Sequence, residues 1–396
     1  MRPRDIFSGL LLAALSGGCG HEHDGDAKEW TRDELAELEA RWGYELSFTG
    51  IGSFAHLDYV KCLTRPTEPF DIAILGVPFD TAVSYRPGAR FGPRAIRQAS
   101  SRQTSFRGFN PRADINPYQS WARIVDCGDV PVTPFDNDIA REQMTQAFKE
   151  LGGRRGVSSA SALGANKPRI VALGGDHSLT LPALRALNEV YGRPIQVLHF
   201  DAHLDTWNPE AYPSHWGTTP FNHGSMFWMA HHEGLLPNST SQPSVHAGLR
   251  TRLGGKDWTD HTDDTSQNWI RFAADDMDEI GTAGIIEGIM RALGTEQPVY
   301  LSVDIDVLDP AFAPGTGTPE PGGWTTRELI RVLRGIEGLN LVGADVVEVS
   351  PAYQGRGEET ALAAAQVVYE VLSSMVKRRM KDMGKEGRGD GAKDEL

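Results

Sequence analysis

The stretch VLHFDAHLDTWNP, beginning at Val197, sets Asp201, His203 and Asp205 on alternate positions directly after an apolar run. A second stretch, LSVDIDVLDP, repeats the pattern with Asp304 and Asp306, and a third, LGGDHS, places His177 after an apolar run and two glycines. Together they supply two imidazoles and four carboxylates. Carboxylates crowded out of water repel one another and take up protons unless cations neutralise them. The donors are oxygen and imidazole with no thiolate, which suits magnesium or manganese better than a structural zinc, and four carboxylates balance two divalent ions. Shared carboxylates could hold two such ions about 3.5 to 4 Å apart and sharpen a water between them into a nucleophile. In outline this is a hydrolase site. A single Asp-x-His is more often an exposed polar loop than a ligand pair, and Asp176 or Asp309 could simply cap turns, but three such stretches together are harder to dismiss.

The elements that must position these groups are legible around them. From about Phe70 the chain alternates short β-branched runs with Gly/Asp/Pro-rich breaks and helical patterns, which predicts an α/β fold on a parallel sheet. The runs read as strands are DIAILGV, ARIVDCG, PRIVALG, IQVLHF, SVHAGL, WIRFA, VYLSVDI and LVGADVVEV. Their near-continuous apolar character fits strands covered by helices on both faces. LPALRALNEVYG, TAGIIEGIMRALG and TTRELIRVLRGIEG read as helices, and ETALAAAQVVYEVLSSMVKRRM as a long closing one. Ligands of open parallel sheets bind beyond the carboxyl ends of strands. All three stretches sit at such ends, and continuation of the strand conformation would turn Asp201, His203 and Asp205 to one side. The glycines before His177 are expected to permit a sharp turn. No linker or fixed-period repeat divides the stretch from Phe70 to Met380.

Taken in order, GGDHS, DAHLD and SVDIDVLDP resemble the three metal-binding signatures of the ureohydrolases, the family of arginases, agmatinases and formimidoylglutamases. GVPFD, RPGARFGPRAIR, FNHGSMF and VVEVSPAY extend the resemblance over roughly residues 70–376, and it is closest to fungal agmatinases. It implies a three-layer α/β/α domain with an eight-stranded parallel sheet, two Mn²⁺ ions per chain and a small cationic guanidino substrate. Position by position, it implies that His177 and Asp205 complete one metal site and His203 and Asp306 the other, with Asp201 and Asp304 bridging. It further implies that His223 shuttles a proton and Glu348 receives the guanidinium. Glu348 also sits in an otherwise apolar run, where an unpaired carboxylate is costly and a cationic partner is expected. His215, His231, His232 and His261 fall in apparent polar loops and match no ligand motif. Homo-oligomers, trimers or hexamers, are the family's habit.

Agmatine and arginine differ by one carboxylate. The stretch from Thr206 to Phe227 carries Trp207, Tyr212, Trp216 and Phe221 and no arginine or lysine, which favours an alkylamine tail, although Asn208 and Thr218 keep arginase or another guanidino-acid ureohydrolase open. DAH also resembles the opening of binuclear metallophosphoesterases, but these need a Gly-Asn-His element that FNHG does not supply. A non-catalytic guanidine-binding protein on the same scaffold is the reading from another class; such relatives usually lose ligands, and all six are present.

Composition agrees with a globular enzyme: 40% of the 396 residues are apolar, and 53 acidic against 39 basic residues give a net charge of −14. That balance disfavours nucleic acid as a partner. Residues 1–20, two arginines followed by an apolar stretch and small residues, have the layout of a secretory signal peptide, too short to span a membrane. Asp5 departs from that pattern, so a mitochondrial leader is an alternative, and secretion from the cell is another. Residues 21–69 read as a polar spacer with a short helix, and 381–396 as a polar tail ending Lys-Asp-Glu-Leu, the retrieval address of the endoplasmic reticulum. Asn238-Ser239-Thr240 is a glycosylation sequon. The mature chain is expected to be free of membrane spans. Cys62 and Cys127 could pair in an oxidising lumen, but both lie beside apolar runs, where buried free thiols are the commoner case.

Overall fold

A computed structural model describes residues 30–157, 167–211 and 214–389; the expected signal peptide and the Lys-Asp-Glu-Leu ending lie outside them. Eight strands form one sheet: β1 (Ile72–Val77), β2 (Ile124–Asp129), β3 (Arg169–Gly174), β4 (Gln196–Phe200), β5 (Ser244–Leu249), β6 (Trp269–Ala273), β7 (Pro298–Asp304) and β8 (Asn340–Val347). Their order is β2-β1-β3-β8-β7-β4-β5-β6 and every pair is parallel. Each of the eight expected runs forms its strand.

Alternation along each strand splits the apolar side chains between two cores. Ile72, Ile74, Val171, Leu173, Leu198 and Phe200 pack on one face, with helices Gly281–Leu293, Thr326–Gly335 and the first part of Glu359–Gly389. Ala73, Leu75, Val77, Ala172 and Val197 pack on the other, with helices Asn137–Gly152, Thr180–Tyr191 and Met226–His232. The three-layer expectation holds. Among the described residues no helix is long and apolar enough to cross a membrane.

The boundaries differ from those expected. The helix Arg32–Trp42, closed by a capping box between Thr31 and Glu34, belongs to a first unit ending at Tyr44, and the compact second unit begins at Glu45, not near residue 70. Phe54, Ala55, Val60 and Cys62 are buried in that unit, so this arm is part of its core and not a spacer. At the other end the closing helix continues through Gly389, which makes residues 381–389 helical where a polar tail was expected. His231 and His232 lie on the helix Met226–His232 and His261 on Thr259–Ser266, so they are helical and not in loops.

Cys62 and Cys127 form a disulfide, against the expectation of free thiols. Backbone pairing explains it: the Val60 amide donates to Asp126 and the Asp126 amide to Asp58, which lays the arm alongside β2 and brings the two thiols together. The bridge closes 65 residues. Replacing Cys62 with serine is expected to lower unfolding stability by about 2 to 4 kcal/mol through release of unfolded-state entropy. Denaturant titration in the absence of reductant measures this; an unchanged midpoint would refute it.

Candidate functional site

The four strands that carry the expected site residues, β3, β8, β7 and β4, are contiguous in the middle of the sheet. Their carboxyl ends therefore form a single platform. Gly175, just past β3, is required by close approach and not by a positive φ: a Cβ there would lie 1.9 Å from the carbonyl oxygen of Phe79. Asp176 caps the following turn by accepting from the Ser178 amide at 3.1 Å, which leaves His177 facing inward and fully buried.

The acidic stretches converge by turns and not by continued strand. β4 ends at Phe200, and Asp205 lies in the left-handed region at φ 56°. β7 ends at Asp304, whose Oδ1 accepts from the Asp306 amide at 2.8 Å to open a 3-10 turn. Tight turns replace the strand because a pleated strand carries its same-side residues away from one another, whereas a metal cluster needs them at one point.

All six expected ligands meet there. His177 Nδ1 lies 3.1 Å from Asp201 Oδ2, 3.1 Å from Asp205 Oδ2 and 3.2 Å from Asp304 Oδ2. His203 Nδ1 lies 3.1 Å from both Asp201 Oδ1 and Asp306 Oδ2. Asp201 thus faces both histidines, one through each oxygen. Asp304 meets His177 on one side and the Asp306 amide on the other, so its side-chain contact is with the His177 pole.

Two observations show that this cluster fits divalent cations. The first is a tautomer. Buried Asp345 accepts from Thr180, Tyr300 and Ser302, so the Ser302 hydroxyl proton is committed to it, and Ser302 Oγ must accept from His177 Nε2 at 2.7 Å. His177 Nδ1, the ring nitrogen left over, has no hydrogen-bond partner and lies among three carboxylates. Burial disfavours the imidazolium, but the three carboxylates push His177 well above its ordinary range, so the site draws positive charge to this atom, and a divalent cation would supply it. The second is charge. Burial, then mutual repulsion, pushes the Asp304 carboxyl well above its usual range and Asp306 up to about 6. Bound cations would relieve both.

Beside the cluster, Glu348 sits just past β8 in the left-handed region, at φ 62°. Its Oε1 accepts from the His177 amide at 2.9 Å and lies 3.1 Å from His223 Nδ1, while its buried Oε2 has no partner. The Ser84 amide lies 3.0 Å from His223 Nε2 and donates to it when the ring is neutral, which leaves the neutral ring's proton on Nδ1, toward Glu348. Burial disfavours its cation, but Glu348, aided by Asp205 and Asp176, pushes the imidazole up to about 9. A cavity of about 390 Å³ opens over these groups, and His203, Asp205, Trp207, Thr218, His223 and Asp304 line it.

A family model described as the arginase family matches residues 70–373. The chain belongs to the arginase family. A Schizosaccharomyces pombe protein named "Putative agmatinase 3" is 46% identical over 347 residues, covering 86% of this chain and 83% of its own. Agmatinase from Chromobacterium violaceum is 37% identical over 340 residues, covering 85% and 92%. Among solved structures, proclavaminate amidinohydrolase from Streptomyces clavuligerus superposes with a TM-score of 0.71 at 35% identity, over 84% of this chain and all of that one.

Within this arginase-family site the expected aromatic loop is only partly aromatic. Trp207 lines the cavity, Trp216 is 93% exposed, and Phe221 turns into the core against Phe79; Tyr212 lies outside the described residues. Asn208 accepts from the Glu210 amide and does not line the cavity, whereas Thr218 does. No lysine or arginine lines the cavity among the described residues.

Sequence reasoning missed three groups. Arg250 donates to the backbone carbonyls of Asp306, Leu308 and Glu320 and so fixes the turn that carries Asp306. Ser302 sets the His177 tautomer. His199, one residue before Asp201's neighbour Phe200, lies with Nε2 2.9 Å from Asp201 Oδ2. Within apolar strands, His199 and Ser302 resemble ordinary core polar residues, and the available signal was their facing the cluster-bearing end of the sheet.

Proposed function

We propose that this protein is a manganese-dependent agmatinase, hydrolysing agmatine to putrescine and urea. The observation that carries the reading is a carboxylate-rich metal cluster that opens into a cavity whose described lining has no lysine or arginine, with the half-unpartnered Glu348 buried against His223 at its edge. His177, Asp201 and Asp205, with Asp304, would hold one Mn²⁺, and His203 and Asp306, sharing Asp201, the other; the oxygen-rich donor set favours this metal. Bound cations supply the electrostatic activation of water that the hydrolysis requires.

The chain's own groups do the rest. The free oxygen of Glu348 receives the planar guanidinium and orients its carbon toward the cluster. His223 holds a proton at Nδ1, against Glu348, for the departing amine. Names of the relatives agree: agmatinase for the Chromobacterium protein, and an amidinohydrolase for the Streptomyces one.

A substrate carboxylate desolvated in this cavity would find no lysine or arginine to pair with, so kcat/KM for agmatine is expected to exceed that for arginine or 4-guanidinobutanoate by roughly 100-fold or more. Urea release from manganese-loaded protein across these compounds tests it. Equal efficiencies, or a preference for arginine, would overturn the substrate assignment, and guanidine binding without urea release would support a non-catalytic binding protein.

We also propose that the protein works in the lumen of the endoplasmic reticulum. Supporting this are the leader-like start, the Lys393-Asp394-Glu395-Leu396 ending, an exposed Asn238 sequon and the Cys62–Cys127 disulfide, a bond that persists in oxidising compartments. Imaging with an internal tag and a free C-terminus is expected to show a reticular pattern; a cytosolic or mitochondrial pattern would refute it.

A further inference from the structure

One aromatic surface meets the cavity over the metal cluster and has no part in the chemistry above. Trp207 lines that cavity and is fixed at both ends: its backbone amide donates to the Gly224 carbonyl at 3.2 Å, and its indole Nε1 donates to Asp260 Oδ2 at 3.0 Å. Asp260 is itself anchored by the Gly254 amide at 2.6 Å and does not line the cavity. The polar edge of the indole is therefore turned away, and the carbon surface of the ring is what the cavity meets.

The rest of the lining gives that surface a use. Among the described residues its carboxylates are Asp205 and Asp304, both members of the metal cluster. Apart from Trp207 and two histidines, its remaining polar side chains are hydroxyls and the Asn222 amide. An ammonium group entering with the substrate thus finds no carboxylate that metal ions would not already claim. Desolvating it without a partner is costly. An indole face can serve instead: its quadrupole attracts a cation, and a carboxylate bonded to the N–H adds electron density to the ring. The same face repels a carboxylate. Distance agrees as well. The Trp207 ring centre stands 6.4 Å from that of His203, an expected metal ligand. In extended agmatine the guanidino carbon and the ammonium nitrogen are separated by six bonds of about 1.5 Å, hence by roughly 7 Å in space.

We propose that Trp207, held at its edge by Asp260, is a specificity-determining residue for the far end of the substrate, receiving the alkylammonium tail on its indole face while the guanidinium lies at the cluster. Asp260 is a positioning residue for that face. The assignment rests on the agmatinase reading and adds to it a group that attracts the amine, where a lining without lysine or arginine only fails to hold an acid.

Initial rates of urea release by the full manganese-loaded protein, with agmatine and with n-pentylguanidine, test it. The second compound has the same length and carries a methyl group in place of the ammonium. The ratio of kcat/KM for agmatine to that for pentylguanidine is expected to fall about 5- to 30-fold in W207L, with the loss for agmatine carried by KM. In W207F, whose ring keeps a weaker quadrupole, the same ratio is expected to fall about two- to fivefold. A merely apolar wall would lower both compounds alike and leave the ratio where it was, and that result in W207L would overturn the assignment. Should W207L fail to fold, the ratio in W207F decides. A parent protein that releases no urea from agmatine would remove the agmatinase reading together with this assignment, whereas agmatine hydrolysis with a ratio insensitive to the side chain at this position would remove the assignment alone.

Discussion

Asp201→Asn is expected to leave the purified protein with less than one tightly held Mn²⁺ per chain and to cut kcat for urea release by roughly a hundred- to several-thousand-fold, the equivalent of the 3 to 5 kcal/mol lost when one member of a buried charge cluster is removed. The reason is its double engagement: Oδ2 faces His177 and His199, while Oδ1 faces His203 and takes the His203 amide at 2.5 Å. Neutralising it weakens both poles together. Asp304→Asn, whose side-chain contact is with the His177 pole, is expected to lose one ion and retain the other. Metal analysis after dialysis separates the cases. Two ions retained in the Asp201 variant would refute its central position, and loss of both in the Asp304 variant would show that Asp304 spans the poles as well.

Glu348→Gln is expected to separate activity from stability. The glutamine oxygen can still accept from the His177 amide, so the turn after β8 keeps its hydrogen bond. What is lost is the negative charge whose second oxygen has no partner within the protein. A buried, unsatisfied carboxylate oxygen costs folding free energy, so the variant should melt at the same temperature as the parent or slightly higher. Its kcat/KM for agmatine should fall by roughly 100-fold or more, because a desolvated ion pair to the substrate is gone. Thermal unfolding and initial rates on one preparation check both halves. Parallel loss of stability and activity would make Glu348 a structural residue instead.

The eight strands were legible because parallel strands buried on both faces leave continuous apolar runs between breaks, and little else in a globular chain does. The ligands were legible because ionisable residues seldom follow such runs without a purpose. Direction was harder: the alternate spacing of Asp201, His203 and Asp205 suggests a strand, yet the convergence depends on the left-handed Asp205 and on a 3-10 turn after Asp304, neither of which has a sequence mark. The helix Asn137–Gly152, capped by Asp136, carries a weak sequence mark because its buried positions include the small Ala140 and the polar Thr145 among many charged residues. The arm before β1 reads as a spacer in the sequence because its buried residues, Phe54, Val60 and Cys62, are too sparse to form a periodic pattern. His199 and His246 show the limit most clearly. Each is a single polar residue in an apolar strand, and only the register pairing β4 with β5 puts them side by side.

That same arm has a bearing on how the protein keeps from sticking to copies of itself. β2 is an outermost strand of the sheet, and an outermost strand offers unpaired amides and carbonyls to any passing chain. Here Asp58 and Val60 occupy the Asp126 positions on that border, and the Cys62–Cys127 bridge rivets the covering segment in place. The opposite border, β6, carries a charge within the strand instead, the partly exposed Arg271, which pairs with Asp264. One rim is therefore shielded by charge and persists in any redox environment, whereas the other relies on a bond that a reducing compartment would open, which makes self-association along β2 the failure expected of protein synthesised away from an oxidising one.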